Sequence, residues 1–241
     1  MKLLIAITGL YVSAATLTAE TAPERLRTST QIFNEIMATD QSIPADLLEK
    51  AECIVLVPNM KKGAFIIGGQ YGKGFVSCRR TSGRGWGAPA AIRVEGGSVG
   101  FQIGGQSANL VMLVMNRRGM EQLTKSKFTL GGDASVAAGP VGRTTSAQTG
   151  AFMSAEILSW SRTNGVFGGI SLNGATLRSD EDVNKELYGR KLATQDIILT
   201  NMKPTENGGR IRPWSPAATA GLIAALDRYS MRKERSADGQ R

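Results

Sequence analysis

Three times along this chain an apolar run meets a pair of glycines. Phe65-Ile66-Ile67-Gly68-Gly69-Gln70 is echoed thirty-six positions later by Phe101-Gln102-Ile103-Gly104-Gly105-Gln106, and Val166-Phe167-Gly168-Gly169 is a fainter third copy. Apolar runs this short read as strands, and glycine in a strand permits bends and bulges. A sheet bent at several places curls, and a curled sheet manages its edges by closing toward a barrel or by layering as a sandwich. Glycine supplies 29 of the 241 residues, well above its usual share of about 7%, with no collagen-like period.

The flanks are helical. Thr21 and Glu24 have capping-box spacing, Pro23 suits a first turn, and Leu26, Phe33, Ile36 and Met37 mark one face. The pattern stops at Asp40-Gln41-Ser42, and a short helix is expected over 44–51 with Leu47 and Leu48 inward. Strands then follow at 53–57, 64–71 and 74–80, the first ended by Pro58-Asn59 and the last two joined by a tight Gly72-Lys73 turn. Further strands are expected at 91–94, 98–104 and 109–115, a helix near 118–125, and strands at 127–130, 133–138, 151–161, 166–172 and 175–178. Helices near 182–188 and 215–232 close the chain. The fold class is therefore α+β and β-rich: a curved antiparallel sheet in a barrel-like or sandwich body, flanked by N- and C-terminal helices.

Charge is concentrated. The formal net charge is +9, and Lys61, Lys62, Lys73, Arg79, Arg80, Arg84 and Arg93 fall between Cys53 and Val94 with no acidic residue among them. A field of one sign attracts polyanions such as phospholipid headgroups. The N-terminus narrows the choice. Met1-Lys2 precedes the apolar run 3–12, and small residues allow cleavage after Ala15 or Ala19, which together fit a secretory signal peptide over 1–19. Export disfavours nucleic acid as a partner, as does the low aromatic content of 6%. In a meander Cys53 and Cys78 fall on the first and third strands, about 9–10 Å apart. Bridged Cα atoms lie within about 7 Å, so free thiols are expected, although export permits a disulfide.

The chain has no histidine. That removes Ser-His-Asp and Cys-His nucleophilic sites and every histidine-bearing metal site, so neither an enzyme nor a cofactor is expected. Gly96-Gly97-Ser98-Val99-Gly100 spells a nucleophile elbow but lies between strands, and reads as a turn. Asp180-Glu181-Asp182, the only acidic cluster, sits where a helix N-terminus favours carboxylates. The C-terminal helix, with Leu222, Leu226 and Tyr229 in one stripe, reads as docked on the core in preference to lying in a membrane interface.

An ordered series of these residues resembles the SYLF-domain family. It comprises Pro44, Ala51, Ile54 to Pro58, Gly63, the Gly68-Gly69 to Gly74 turn, Trp86 with Pro89, and Ser98-x-Gly100-x-Gln102-x-Gly104. It continues with Gly131, Ala138-Gly139-Pro140-x-Gly142-Arg143, Ser161-x-x-x-Gly165-x-x-x-Gly169, Arg178, Asn184 and Tyr188-Gly189, covering about 30–190. The resemblance implies a phospholipid-binding module; eukaryotic relatives bind phosphoinositides and some bind actin, and exported single-domain relatives look bacterial. Two positions depart: Trp160 stands where a tyrosine is expected, and Asn109 where an aspartate is. No SH3 or FYVE sequence accompanies these residues, so no scaffold role through such a domain is expected.

The resulting expectations are a signal peptide over 1–19, a SYLF-like lipid-binding domain over 20–200, and a C-terminal extension with a helix over 201–241. The partner is an anionic phospholipid or membrane surface, met from the envelope side, in the periplasm or at the outer membrane if the source is bacterial. Lys61, Lys62, Lys73, Arg79, Arg80 and Arg84 would contact headgroups, with Trp86 as the interfacial aromatic. The alternative is an envelope structural or protein-interaction module without lipid binding.

Overall fold

The chain begins its folded part with a reciprocal cap. Thr21 Oγ1 accepts from the Glu24 amide, and the Thr21 amide donates to the Glu24 carboxylate at 2.8 Å, which satisfies two donors that a helix start leaves orphaned. Helix α1, Ala22–Met37, buries Leu26, Phe33 and Ile36. Helix α2, Ala45–Lys50, buries Leu47 and Leu48. Both agree with the spacing of their apolar residues. The computed structural model describes residues 20–64, 68–80, 85–98, 104–142, 154–170, 172–202 and 217–230. The signal-peptide segment, Arg84 and the Ser215-Pro216 cap lie outside the described residues.

Four long strands follow: β1 (Cys53–Ala64), β2 (Gly68–Cys78), β3 (Ala90–Ser98) and β4 (Gly104–Val114). Helix α3 (Arg117–Leu123) leads to β5 (Lys127–Thr129), β6 (Val136–Ala138), β7 (Ile157–Thr163), β8 (Val166–Gly169) and β9 (Thr176–Ser179). Helices α4 (Glu181–Tyr188), α5 (Thr194–Met202) and α6 (Ala217–Ser230) complete the described chain. The strands form one sheet in the order β5-β9-β3-β2-β1-β4-β7-β6, with β8 on β7. It curls into a half-barrel. The sheet is mixed where a purely antiparallel one is expected, because β6 runs parallel to β7.

Both faces of the sheet are buried over half its length. Ile54, Leu56, Phe75, Val111, Leu113, Leu158 and Trp160 pack against α1, α2, α4 and α6. Their neighbours Cys53, Val55, Val57, Val76, Leu110 and Met112 face the opposite way, onto Phe128, Leu130, Leu177 and Ile197. Two-sided burial is why 53–57 and 110–114 read as unbroken apolar runs without alternation. Helix α6 docks on the core as expected: Leu222 and Leu226 are buried, and Tyr229 meets Phe33 edge-to-face with ring centroids 5.7 Å apart.

Strands β1 to β4 are longer than the sequence spacing indicates, and for β1 and β2 the reason is local. Pro58-Asn59 does not end β1 but bulges it: the register with both neighbours shifts there, and Asn59 takes a φ of 50°. The bulge presses on β2. A Cβ on Gly74 would lie 2.1 Å from the Leu56 carbonyl oxygen, and one on Gly72 would lie 2.6 Å from Val57 Cγ1. Gly72 and Gly74 therefore belong to a close strand-to-strand approach, not to a hairpin turn, and β2 runs straight through them.

This corrects the cysteine reading. With β1 continuous, Cys78 lies on the adjacent strand directly opposite Cys53. The Arg79 amide donates to the Glu52 carbonyl at 2.8 Å, so the next pair inward is the close, non-hydrogen-bonded kind. The Cα atoms are 4.0 Å apart and the sulfurs are bonded. Reducing this bond, or replacing both cysteines by alanine, is expected to cost about 3 kcal/mol, the figure for a closed loop of this length. That loss lowers the unfolding temperature by roughly 6–12 °C. Thermal unfolding with and without reductant checks it; coincident curves would show that the bond contributes nothing.

Candidate functional site

The helices cover only half of the sheet face on which they pack. Beyond the β1 bulge the same face is open and polar. Strand register sets its composition: Lys127, Arg178, Arg93 and Lys73 are direct cross-strand partners, one each from β5, β9, β3 and β2. They form a transverse row of four cations. A second row runs beside it from Thr129 through Thr176, Glu95, Tyr71 and Lys61 to Ser107 on β4. At the far side, Arg162 on β7 pairs with Glu35 of α1 at 2.6 Å. The Gln31 amide and then Arg162 hold the Glu35 carboxyl below the usual range.

Two carboxylates sit among these cations. Glu95 contacts Arg93 Nε through Oε1 at 2.7 Å and Arg178 Nε through Oε2 at 3.3 Å. Asp180, the N-cap of α4, accepts from the Val183 amide at 3.2 Å and pairs with Lys73 Nζ at 3.0 Å. The acidic cluster thus caps the helix, as its position implies, and also holds a cation. Neither acid belongs to the segment 53–94, so its apparent single-sign field is partly neutralised from the N-cap of α4 and from the next residue of β3.

The seven sequence-chosen site residues separate into different environments. Lys61 is exposed on the open face and Lys73 is on it but paired. Lys62 stands in register with Gln70 and Gln106, and its side chain is not among those described. Arg80 is exposed at the opposite end of β2, where its Nε donates to the Trp86 carbonyl at 2.8 Å. Arg84 lies outside the described residues.

Arg79 and Trp86 are not surface residues. They are 2% and 0% exposed. Arg79 donates to the Leu48 carbonyl at 2.9 Å and the Ala51 carbonyl at 3.3 Å, at the C-terminus of α2, where the last carbonyls lack helical partners and the macrodipole favours a cation. Its guanidinium carbon lies 4.1 Å from the Trp86 ring centroid, a cation–π stack strengthened by desolvation. The indole Nε1 donates to Ser230 Oγ at 2.8 Å, tying α6 to the sheet. A buried arginine fits here because carbonyls and a π face replace its water.

Of the two departures, Trp160 is buried and Asn109 is half-buried. Trp160 Nε1 donates to the Pro140 carbonyl at 2.9 Å, and a Cβ on Gly139 would lie 2.0 Å from its ring; the larger ring is accommodated by glycine. Asn109 Oδ1 accepts from the Asn59 amide at 3.0 Å, which clips the β1 bulge, and an aspartate oxygen could accept the same bond. Tyr188 donates its hydroxyl to the Pro89 carbonyl, and burial pushes its pKa well above the ordinary tyrosine value.

Arg178, Lys127, Glu95, Asp180 and Tyr71 are the platform residues that charge counting overlooks. Alternation within Lys127-Phe128-Thr129 and Thr176-Leu177-Arg178 marks their outward faces, but only strand order places them beside β3. Among the described residues no group of three or more cysteine, aspartate or glutamate side chains is placed to hold a metal ion. No helix among them is long and apolar enough to cross a membrane.

Comparison with known proteins adds an independent observation. Residues 95–229 match the family model described as "Ysc84: Las17-binding protein actin regulator". The "SH3 domain-containing YSC84-like protein 1" of Bos taurus is 30% identical over 224 residues, 92% of this chain and 61% of the relative. "LAS seventeen-binding protein 3" of Saccharomyces cerevisiae is 30% identical over 197 residues, 80% of this chain and 40% of the relative. An "SH3 domain-containing protein" of Schizosaccharomyces pombe is 34% identical over 167 residues, 68% of this chain and 38% of the relative. The chain thus spans less than two thirds of each of these relatives. The matched region includes α6, beyond the 30–190 over which the sequence motifs run.

Two expected outcomes follow from the buried groups. Arg79→Ala removes the bonds to the Leu48 and Ala51 carbonyls and the stack on Trp86, and lowers stability by about 3 kcal/mol. Arg79→Lys recovers less than half of that, since a compact ammonium lacks the planar guanidinium that stacks on Trp86 while reaching the two carbonyls from separate nitrogens. Thermal unfolding of both variants tests the role, and an unchanged midpoint would refute it. Tyr188 resists ionisation in the folded state, so its contribution is present below pH about 10 and is lost as pH rises above it. Stability measured from pH 8 upward should fall less steeply in Tyr188→Phe than in the parent.

Proposed function

This chain belongs to the SYLF, or Ysc84, family, and from that premise we propose that it is a binding module that associates peripherally with anionic phospholipid. The family's members are named as binding or regulator proteins, not as enzymes. The observation that carries the lipid reading is the open half of the helix-side sheet face. It presents Lys61, Lys73, Arg93, Arg178 and Lys127 on adjacent strands, with exposed Tyr71 in their midst. A sheet face with excess positive charge and an exposed aromatic suits an anionic headgroup layer.

The contact set changes accordingly. Lys61 and Lys73 stay in it with Lys62 next to Lys61 on β1, and Arg80 leaves it because it lies at the opposite end of β2 beside Trp86. Arg93, Arg178 and Lys127 join it. Arg79 and Trp86 leave it because both are spent on packing. Export to an oxidising envelope compartment remains part of the proposal, supported by the apolar N-terminal run and by the Cys53–Cys78 bond.

A protein partner is the second reading, favoured by relatives named for binding another protein. One experiment separates the two. Co-sedimentation with phosphatidylglycerol vesicles should be strong at low salt, weak in about 0.5 M salt and weak with phosphatidylcholine. Lys61→Gln should reduce it about fivefold, near 1 kcal/mol for one cation at an anionic surface. Equal binding to neutral vesicles, or salt-insensitive binding, would refute the electrostatic reading. No binding to any vesicle would leave the protein-partner reading.

A further inference from the structure

We propose that Glu95 is a built-in competitor for an oxyanion site: its carboxylate holds the place that a phosphate-class dianion takes on the row Lys73, Arg93, Arg178 and Lys127. This deepens the reading of the open face as anion-binding, and rests on it, by locating one subsite and the residue that regulates it.

The row itself is the unusual feature. Like charges directly opposite one another destabilise a sheet. Here they face each other three times in succession, Lys73 with Arg93, Arg93 with Arg178, and Arg178 with Lys127. Among the described residues two carboxylates answer four cations. Asp180 holds Lys73 at one end, and Glu95 bridges the two arginines in the middle. Lys127, at the other end, is exposed and has no ion-pair partner among the described residues. The side chains of Arg93 and Arg178 remain 35% and 38% exposed, so a ligand can reach them from solvent.

The geometry of Glu95 indicates the chemistry of the ligand. One oxygen lies beside each arginine Nε at ion-pair distance while neither Nε has a hydrogen-bond partner among the described residues, so the carboxylate spans the gap between β3 and β9 by charge alone and leaves both donors unsatisfied. A phosphate offers an equivalent O–P–O edge, which matches guanidinium donors. It has further oxygens and a second charge for the lysines. The four strands span about 14 Å, and the flexible lysine arms at the two ends can close on the centre. A simple carboxylate would merely repeat what Glu95 already provides. Glu95 is itself 35% exposed on the open face, so it can swing aside when displaced.

The test titrates inorganic phosphate into the full chain, alongside vesicles containing phosphatidic acid, a phosphomonoester, or phosphatidylglycerol, a diester. Glu95→Gln should tighten phosphate binding about tenfold, the scale of two half-exposed ion pairs that no longer have to be displaced. Glu35→Gln removes the same charge from the far side of the sheet and should change binding less than twofold. Lys127→Gln, with no ion pair to lose, should weaken binding several-fold at an unchanged unfolding temperature. Equal tightening by both glutamate variants would mean bulk charge and overturn the proposal. So would weaker or unchanged binding in folded Glu95→Gln, and, should that variant not fold, unchanged binding in Lys127→Gln overturns it alone. Tightening seen for phosphatidic acid vesicles as well as free phosphate assigns the dianion to a lipid headgroup; tightening for free phosphate alone assigns it to a solute. Anionic-vesicle binding without any phosphate binding overturns the subsite and leaves the platform reading standing, whereas phosphate binding without vesicle binding does the reverse.

Discussion

The register of β1 against β2 and β4 governs this molecule, and one bulge sets it. On the Cys53 side of Pro58-Asn59, β1 is buried on both faces; beyond it, the helix-side face opens to solvent. In a strand whose neighbours alternate between faces, a one-residue slip would carry every side chain to the wrong side. The structure fixes the slip at one place and secures it three ways. Asn109 accepts from the Asn59 amide, Gly72 and Gly74 leave room for the displaced backbone, and Cys53–Cys78 pins the pairing near the end of both strands. The row of cations across β2, β3, β9 and β5 is carried outward from β2 by three further pairings that hold one register throughout.

The same constraint explains why one basic stretch of sequence serves unlike purposes. Strand alternation sends Lys73 to the open face while Arg79, further along β2, reaches the covered end of the sheet, where the carbonyls of α2 need a donor. Charge counted along the sequence sums the two as if they shared a surface. In space, Arg79 belongs to the interior with Trp86, and its positive charge is balanced by carbonyl dipoles and an aromatic face. The outward cations meet acids that are distant in sequence, Asp180 above all. A one-dimensional window sees the charges of its own strand and none of those brought alongside by pairing.

Much of the fold was legible because it rests on local rules. The capping box at Thr21 and Glu24, the helical stripe of Leu26, Phe33 and Ile36, the Asp180 cap and the docked stripe of Leu222 and Leu226 all appear where residue spacing places them. The strand boundaries were not legible, because glycine and proline mark a turn and a bulge with the same letters. Telling them apart needs the neighbouring strand, as Gly74 against the Leu56 carbonyl illustrates. Helix α5 was missed for a related reason. Its sequence, Thr194 to Met202, has adjacent Ile197 and Ile198 and little amphipathic period, and it forms because both isoleucines close the opposite core. The candidate site was half legible: Lys61 and Lys73 belong to it, but Arg178, Lys127 and Glu95 enter through strand order, which no residue pattern here specifies.

The open half of the sheet is the final consequence of this arrangement. Covering it with another helix would bury Lys73, Arg93, Arg178 and Lys127 together, and desolvating four cations with two counter-charges would cost several kcal/mol for each ion left unpaired. The helices therefore stop where the charges begin, with α4 starting at Asp180, beside Lys73. Replacing the row by alternating threonine and valine would give a better sheet by cross-strand pairing rules. A chain that keeps four facing cations there, while disposing of Arg79 by full burial, forgoes stability on one surface only. The binding function is best sought on that surface, because folding by itself does not account for its charge.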